Sequence, residues 1–197
     1  MNLFYQQDNM YLCLKEEGGK GLWGVPFSEP ICGKASTIDY YANGKLQILF
    51  GAGTRLHLID RLGRFVSGFP IDLGKEILLG PDVYDFNGSR RYNVMVLHKD
   101  NTIEMYNLKG QKPASWAGIR PSETIRDLPE RIIVGGNTFW VVRTSVQTLI
   151  YPFGGGQPLT SFEGEQMVLP DSEVKVVDGS AVELHCYDGK SRTVKLK

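Results

Sequence analysis

The chain has no excess of charge of either sign, with 22 Lys and Arg standing against 22 Asp and Glu. A general nucleic-acid or anionic-membrane surface ordinarily shows as a basic surplus, so nucleic acid is not an expected partner. Long apolar runs are missing as well. Residues 46–50, with Gln47 inside, are typical, far short of the roughly 20 residues a membrane helix needs, and no membrane insertion by this segment is expected. No basic stretch followed by an apolar one opens the sequence, so no signal peptide is expected. Cysteine is scarce. Cys13, Cys32 and Cys186 are too few and too scattered for a disulfide framework or a zinc site, and read as small buried or half-buried residues. Helical periodicity is nearly absent, since Gly, Pro or Asn interrupts almost every candidate window.

What is present is β patterning. Apolar residues make up 42% of 197 residues, enough for one sizeable core or two small ones. Period-2 stretches of β-branched and aromatic residues recur between DN, NG, GN and DG pairs, with 23 Gly and 10 Pro as punctuation. The fold class is all-β.

The β stretches repeat. "MYLCLKEEGG", "RLHLIDRLG", "TIEMYNLKG" and "AVELHCYDG" align on Gly19, Gly63, Gly110 and Gly189. Each carries an apolar pair two residues apart, the second member five before the glycine: Leu12/Leu14, Leu56/Leu58, Ile103/Met105 and Val182/Leu184. Residues two apart on a strand share a face, so each pair points into a core. The glycine suits a hairpin turn with positive φ. A fifth copy keeps Phe139/Val141 but lacks the turn glycine. A strand precedes each hairpin ("KLQILFGAG", "YNVMVLHKDN", "ERIIVGGN", "EVKVVDG"), and a strand after the turn leads to Trp23, Phe69, Trp116 or Tyr151.

The repeat of about 36 to 46 residues predicts a β-propeller of four-stranded antiparallel blades, about five blades or most of a ring. The repeats fall at 1–33, 34–77, 78–120, 121–162 and 163–197 of a single domain. A blade has two apolar faces and must stack on its neighbours to bury them. A closed ring would be monomeric. A two-sheet β-sandwich is the alternative architecture.

The stretch from "MYLCLKEEGGKGLW" through "IDYYANGKLQILFGAGTRLHLIDRLGRFVSGFPIDL" to "YDFNGSRRYNVMVLHKDNTIEMYNLKGQKPASW" resembles a known repeat. It is similar to the C-terminal propeller-like region of large uncharacterised Bacteroidetes envelope proteins, and to quinoprotein-like (PQQ-like) propeller repeats. The likeness covers residues 9–118. The last two repeats depart from it, with no Trp after the turn and the spacer "SFEGEQMVLPDSE". The resemblance implies a propeller within a longer protein of the cell envelope or periplasm; a cytoplasmic location is the alternative that follows from the missing leader.

Chemistry-bearing constellations are weak. Asp39, Asp85 and Asp127 fall at inner-strand ends, where propeller glycosidases carry paired acids. Turns place Asp at the same positions to cap backbone amides. Asp85, Asn87 and Gly88 have the D-x-N-G spacing of a calcium loop, but Ser89, Arg90 and Arg91 follow where further acids belong. His57, His98 and His185 lie in separate repeats with no paired-ligand spacing, and His185 beside Cys186 points to the opposite strand face. "YPFGGGQP" has no phosphate-loop context and reads as a flexible connection. Tyr40, Tyr41, Tyr84 and Trp140 could stack on a sugar or a peptide if they face solvent. No catalytic residue, metal ligand or cofactor is expected, and binding residues are not legible. The expected function is a non-catalytic binding or interaction module whose partner is a glycan or another protein. The rivals are a glycosidase or lyase, separable by whether the three aspartates converge in one cleft, and a purely structural domain.

Overall fold

The computed structural model describes residues 2–197. Among these described residues are sixteen strands and five sheets, each sheet built from strands consecutive in the chain. The first sheet is β1 (Leu3–Gln6), β2 (Leu12–Lys15) and β3 (Gly21–Val25). The second has four strands: β4 (Ile31–Ile38), β5 (Gln47–Ala52), β6 (Arg55–Ile59) and β7 (Ile71–Asp72). In the third are β8 (Ile77–Tyr84), β9 (Asn93–His98) and β10 (Ile103–Asn107), with a fourth position reduced to the bridge from Ile103 to Ile119. The fourth holds β11 (Glu130–Val134), β12 (Asn137–Arg143) and β13 (Thr148–Pro152), and the fifth β14 (Lys175–Val177), β15 (Ala181–His185) and β16 (Ser191–Lys195). The only helical element among the described residues is a 3-10 turn at Gly164–Gln166.

Five small antiparallel sheets, each of strands consecutive in the chain, are a propeller pattern, not a two-sheet sandwich. The sheets are not closed, and Leu3–Gln6 and Ser191–Lys195 lie in different sheets. Two compact units divide the chain, Met1–Asp100 with Met105–Lys112, and Asn101–Glu104 with Pro113–Lys197.

The repeated glycine closes one kind of turn. Gly19, Gly63, Gly110 and Gly189 donate their N–H groups to the carbonyls of Glu16, Asp60, Asn107 and Cys186 three residues earlier. Those four residues in turn donate to the carbonyls of Lys20, Arg64, Gln111 and Lys190, just past the glycine. The glycines have φ of 86°, 80°, 75° and 74°, the left-handed residue that lets a type I turn follow the strand twist. Asp60 Oδ1 also accepts from Leu62 and Arg64, and Asn107 Oδ1 from Lys109 and Gln111, so side chains satisfy amides that the turn leaves open. In the copy without glycine, the Thr144 hydroxyl accepts from Gln147 N–H and donates to Gln147 O instead.

Fixing the turn fixes which face each pair presents. All five apolar pairs lie on strands and are at most 5% exposed. In the first unit, Leu12 and Leu14 join Ile48, Phe50 and Ile59 in a core between the first and second sheets. Leu56 and Leu58 point the other way from β6, into a core with Val94, Val96 and Tyr106. The second sheet is therefore apolar on both faces and covered on both. In the second unit, Phe139/Val141 and Val182/Leu184 share one core with Ile150 and Val168. The opposite side of β15 and β16 carries Glu183, His185 and Lys195, so only one face of that sheet is apolar.

Two glycine substitutions separate the turn's backbone demand from its packing. A Cβ on Gly189 meets nothing within 4 Å, whereas one on Gly63 lies 2.9 Å from the Trp23 ring. Gly189→Ala is expected to cost about 1 kcal/mol, the penalty of a side chain at positive φ. Gly63→Ala should cost about 1 kcal/mol more, because the indole must move. Urea unfolding of the two variants checks the order, and equal losses would refute the contribution of Trp23.

Candidate functional site

A concavity of the first unit has a volume of about 1200 Å³. It exists because β4 is irregular. The register with β5 slips between Cys32 and Ser36, so Gly33, Lys34 and Ala35 leave the ladder and border the opening. Phe4, Leu14, Ile31 and Ile48 form its apolar floor, the same side chains that build or flank the core between the first two sheets. Lys34, Lys45 and Arg61 stand at its border. Lys34 is paired with Asp82. Lys45 and Arg61 are exposed, and neither takes part in an ion pair among the described residues.

Asp85, which lines the cleft, and Asp39 beside it are drawn to one arginine. Asp39 Oδ2 accepts from Arg90 Nε at 3.1 Å, and Asp85 Oδ2 accepts from the Arg90 backbone N–H at 3.0 Å. Asp39 also caps its own loop, accepting from Asn43 N–H with Oδ1 and Gly44 N–H with Oδ2. Its backbone N–H donates to Tyr92 Oη. The buried carboxylate is thus spent on turn geometry and charge pairing. Asp85 Oδ1 is buried without a partner, the one acceptor of the group left over. Asp127 lies in the second unit, exposed, with Oδ1 accepting from Leu128 N–H.

The other candidates fall into distinct settings. Tyr40 and Tyr41 are exposed and meet edge to face at 5.1 Å, with Phe69 against Tyr40, an aromatic patch member that sequence alternation did not single out. Tyr84 is half-buried and stacks on Phe86. Trp140 is fully buried and donates Nε1–H to Phe153 O, so it is a core residue and not a platform. His98 is buried between Glu76 O and Tyr106 Oη, and His185 is exposed against Ser191 Oγ. Cys13 and Cys186 are buried and Cys32 half-buried, and burial pushes the Cys32 thiol up. Among the described residues no group of three or more His, Cys, Asp or Glu is placed to hold a metal ion. No described helix is long and apolar enough to cross a membrane.

The glycine run expected to be a flexible connection is a tight packing element. Gly154 O accepts from Ala117 N–H, and Gly156 N–H donates to Gly118 O, both at 2.7 Å. A Cβ on Gly154 would lie 2.5 Å from Ser115 O, and one on Gly155 2.6 Å from Gly118 O. Backbone meets backbone there, and only glycine allows it. Three adjacent glycines are themselves the sequence signal for such an approach.

No model of a known protein family matches the chain, and no curated protein matches it. Solved structures do. The chain is similar to BBS1N in a crystal structure of its complex with ARL6DN, with a TM-score of 0.60 and 11% identity over 98% of this chain and 61% of that one. It is similar to BamB from Moraxella catarrhalis, with a TM-score of 0.51 and 15% identity over 99% of this chain and 64% of that one. A protein of unknown function from Bacteroides caccae matches with a TM-score of 0.51 and 8% identity over 93% and 66%. BBS1N and BamB are β-propellers, and at these identities the likeness is one of fold. The chain spans less than two thirds of the length of each.

The remaining histidine generates a pH prediction. His57 is 7% exposed, stacks on Phe50 at 5.3 Å and meets Phe27 edge-on at 4.9 Å, and its Nε2 is buried without a partner. Burial pushes its pKa below the usual value; Glu29 opposes the shift and Arg55 adds to it. A depressed folded pKa means the unfolded chain takes up the proton first. The neutral ring's contribution is intact above about pH 6.5 and is lost as pH falls through the folded value. His57→Phe should therefore flatten the loss of urea stability between pH 7.5 and pH 5.5, and an unchanged slope would show that His57 titrates freely in the fold.

Proposed function

We propose that the chain is a non-catalytic interaction module that accepts an extended protein segment of mixed acidic and apolar residues in the cleft of its first unit. The observation that carries this reading is the pairing of an apolar floor with two cations that have no protein counter-charge, Lys45 and Arg61. An uncompensated cationic border attracts acidic side chains, and the floor takes apolar ones. The engagement of Asp39 and Asp85 with Arg90 supports binding over hydrolysis, because a general acid and base need carboxyls free to exchange protons with a substrate. The likeness to BBS1N, solved with the partner protein ARL6DN, supports a protein as the occupant. The resemblance of the repeat to envelope propellers supports reading the module as part of a longer envelope-associated protein.

The test uses a labelled ten-residue peptide of alternating Leu and Glu and its Leu and Lys counterpart. The acidic peptide should bind in a salt-sensitive manner, and the Lys45→Glu, Arg61→Glu double variant should weaken it by about tenfold or more. Equal binding of the basic peptide, or an unaffected variant, would refute the reading.

A further inference from the structure

A second cleft lies wholly within the other unit and is of a different kind. Its volume is about 340 Å³, and Arg120, Ser122, Glu123, Gln147, Tyr151 and Gln157 supply its polar lining. Each group is held in place by local structure. Asn101 donates Nδ2–H to Pro121 O and Glu123 O and accepts from Ile125 N–H, which pins the 121–125 loop. Thr144 fixes Gln147 at the turn between β12 and β13, and Tyr151 follows on β13. Gly118 and Gly156 close one side through the hydrogen bond that joins their backbones.

The hydrogen bonding inside this cleft is incomplete. Gln147 Nε2–H donates to Glu123 Oε1 at 2.8 Å, and that orients the amide, since its oxygen cannot face a carboxylate. Gln147 Oε1 is left buried with no partner. Tyr151 is 2% exposed, lines the cleft, and its hydroxyl has no hydrogen-bond partner among the described residues. Desolvation first, and then the charge of Glu123, push the Tyr151 pKa up to about 12, so the hydroxyl is a donor at any ordinary pH. Partial burial pushes the Glu123 carboxyl up, but hydrogen bonds from Gln147 and Ser122 outweigh it and hold it below the usual range. The carboxylate is an acceptor.

Charge narrows the ligand. An anion would face Glu123, and a cation would face Arg120, whose side chain is 56% exposed while its guanidinium is bound to the buried Glu104. A neutral ligand whose groups both donate and accept matches both, and Pro121 and Pro158 offer apolar surface for its C–H face. We propose that this cleft binds a small neutral polyhydroxylated molecule of the sugar class. Tyr151 donates to one ligand oxygen, and Glu123 accepts from another hydroxyl.

The experiment is an NMR titration of the whole chain with D-glucose, D-galactose and N-acetyl-D-glucosamine, with sodium acetate and methylammonium chloride as charged controls. At least one sugar should shift the resonances of the Tyr151 ring and the Gln147 side-chain amide saturably, and neither control should. Tyr151→Phe, which keeps the buried ring, should weaken that sugar by about tenfold, and Glu123→Gln by a similar factor. Thermal melting of both variants confirms that they fold, and the wild-type titration is decisive without them. Failure of all three sugars to shift these resonances would overturn the proposal. So would a control that binds as well, or Tyr151→Phe binding unchanged.

Discussion

A sheet that is apolar on both faces cannot be stable alone, and the rest of this molecule follows from that constraint. On β6, Leu56 and Leu58 look to one side and His57 and Ile59 to the other, and all four are buried. Neighbouring sheets supply both covers, so the sheets of the first unit stack in series. Burial on both faces also governs which polar groups the strands tolerate. His57 is kept neutral among phenylalanines. Glu104, at the corresponding position of β10, is fully buried and accepts hydrogen bonds from Trp116 Nε1–H and from Arg120.

The second unit also has a sheet buried on both faces, with Phe139 and Val141 on one side of β12 and Trp140 and Val142 on the other. Its two sheets turn their apolar pairs toward one core, and the outer face of the last sheet is polar. Two concavities lie where backbone departs from regular pairing. A slipped register in β4 exposes Gly33 to Ala35 above an apolar floor, and a glycine-to-glycine contact walls the polar cleft of the second unit.

Much of the fold was legible in residue spacing. An apolar pair at fixed distance from a glycine identifies a strand, its buried face and its turn together, because strand period and turn conformation are local properties. The hairpins at Gly63, Gly110 and Gly189 follow the pattern residue by residue. The sites were less legible. Asp39 and Asp85 do come together, but on Arg90, a residue that had counted only against calcium. Tyr40 and Tyr41 are exposed while Trp140 is wholly buried, a difference that alternation along a single strand does not carry.

By itself the sequence determined the class of the protein, its repeat, its turn chemistry and the identity of its core pairs. Each of these depends on residues within about one hairpin of one another, where covalent spacing dictates geometry. Only the tertiary structure decided that the sheets remain unclosed, that three glycines serve as a close contact between distant segments, and that Tyr151, Gln147 and Glu123 share a cleft. Those outcomes depend on which backbone a segment meets across the fold. A local pattern leaves that choice open, and packing makes it.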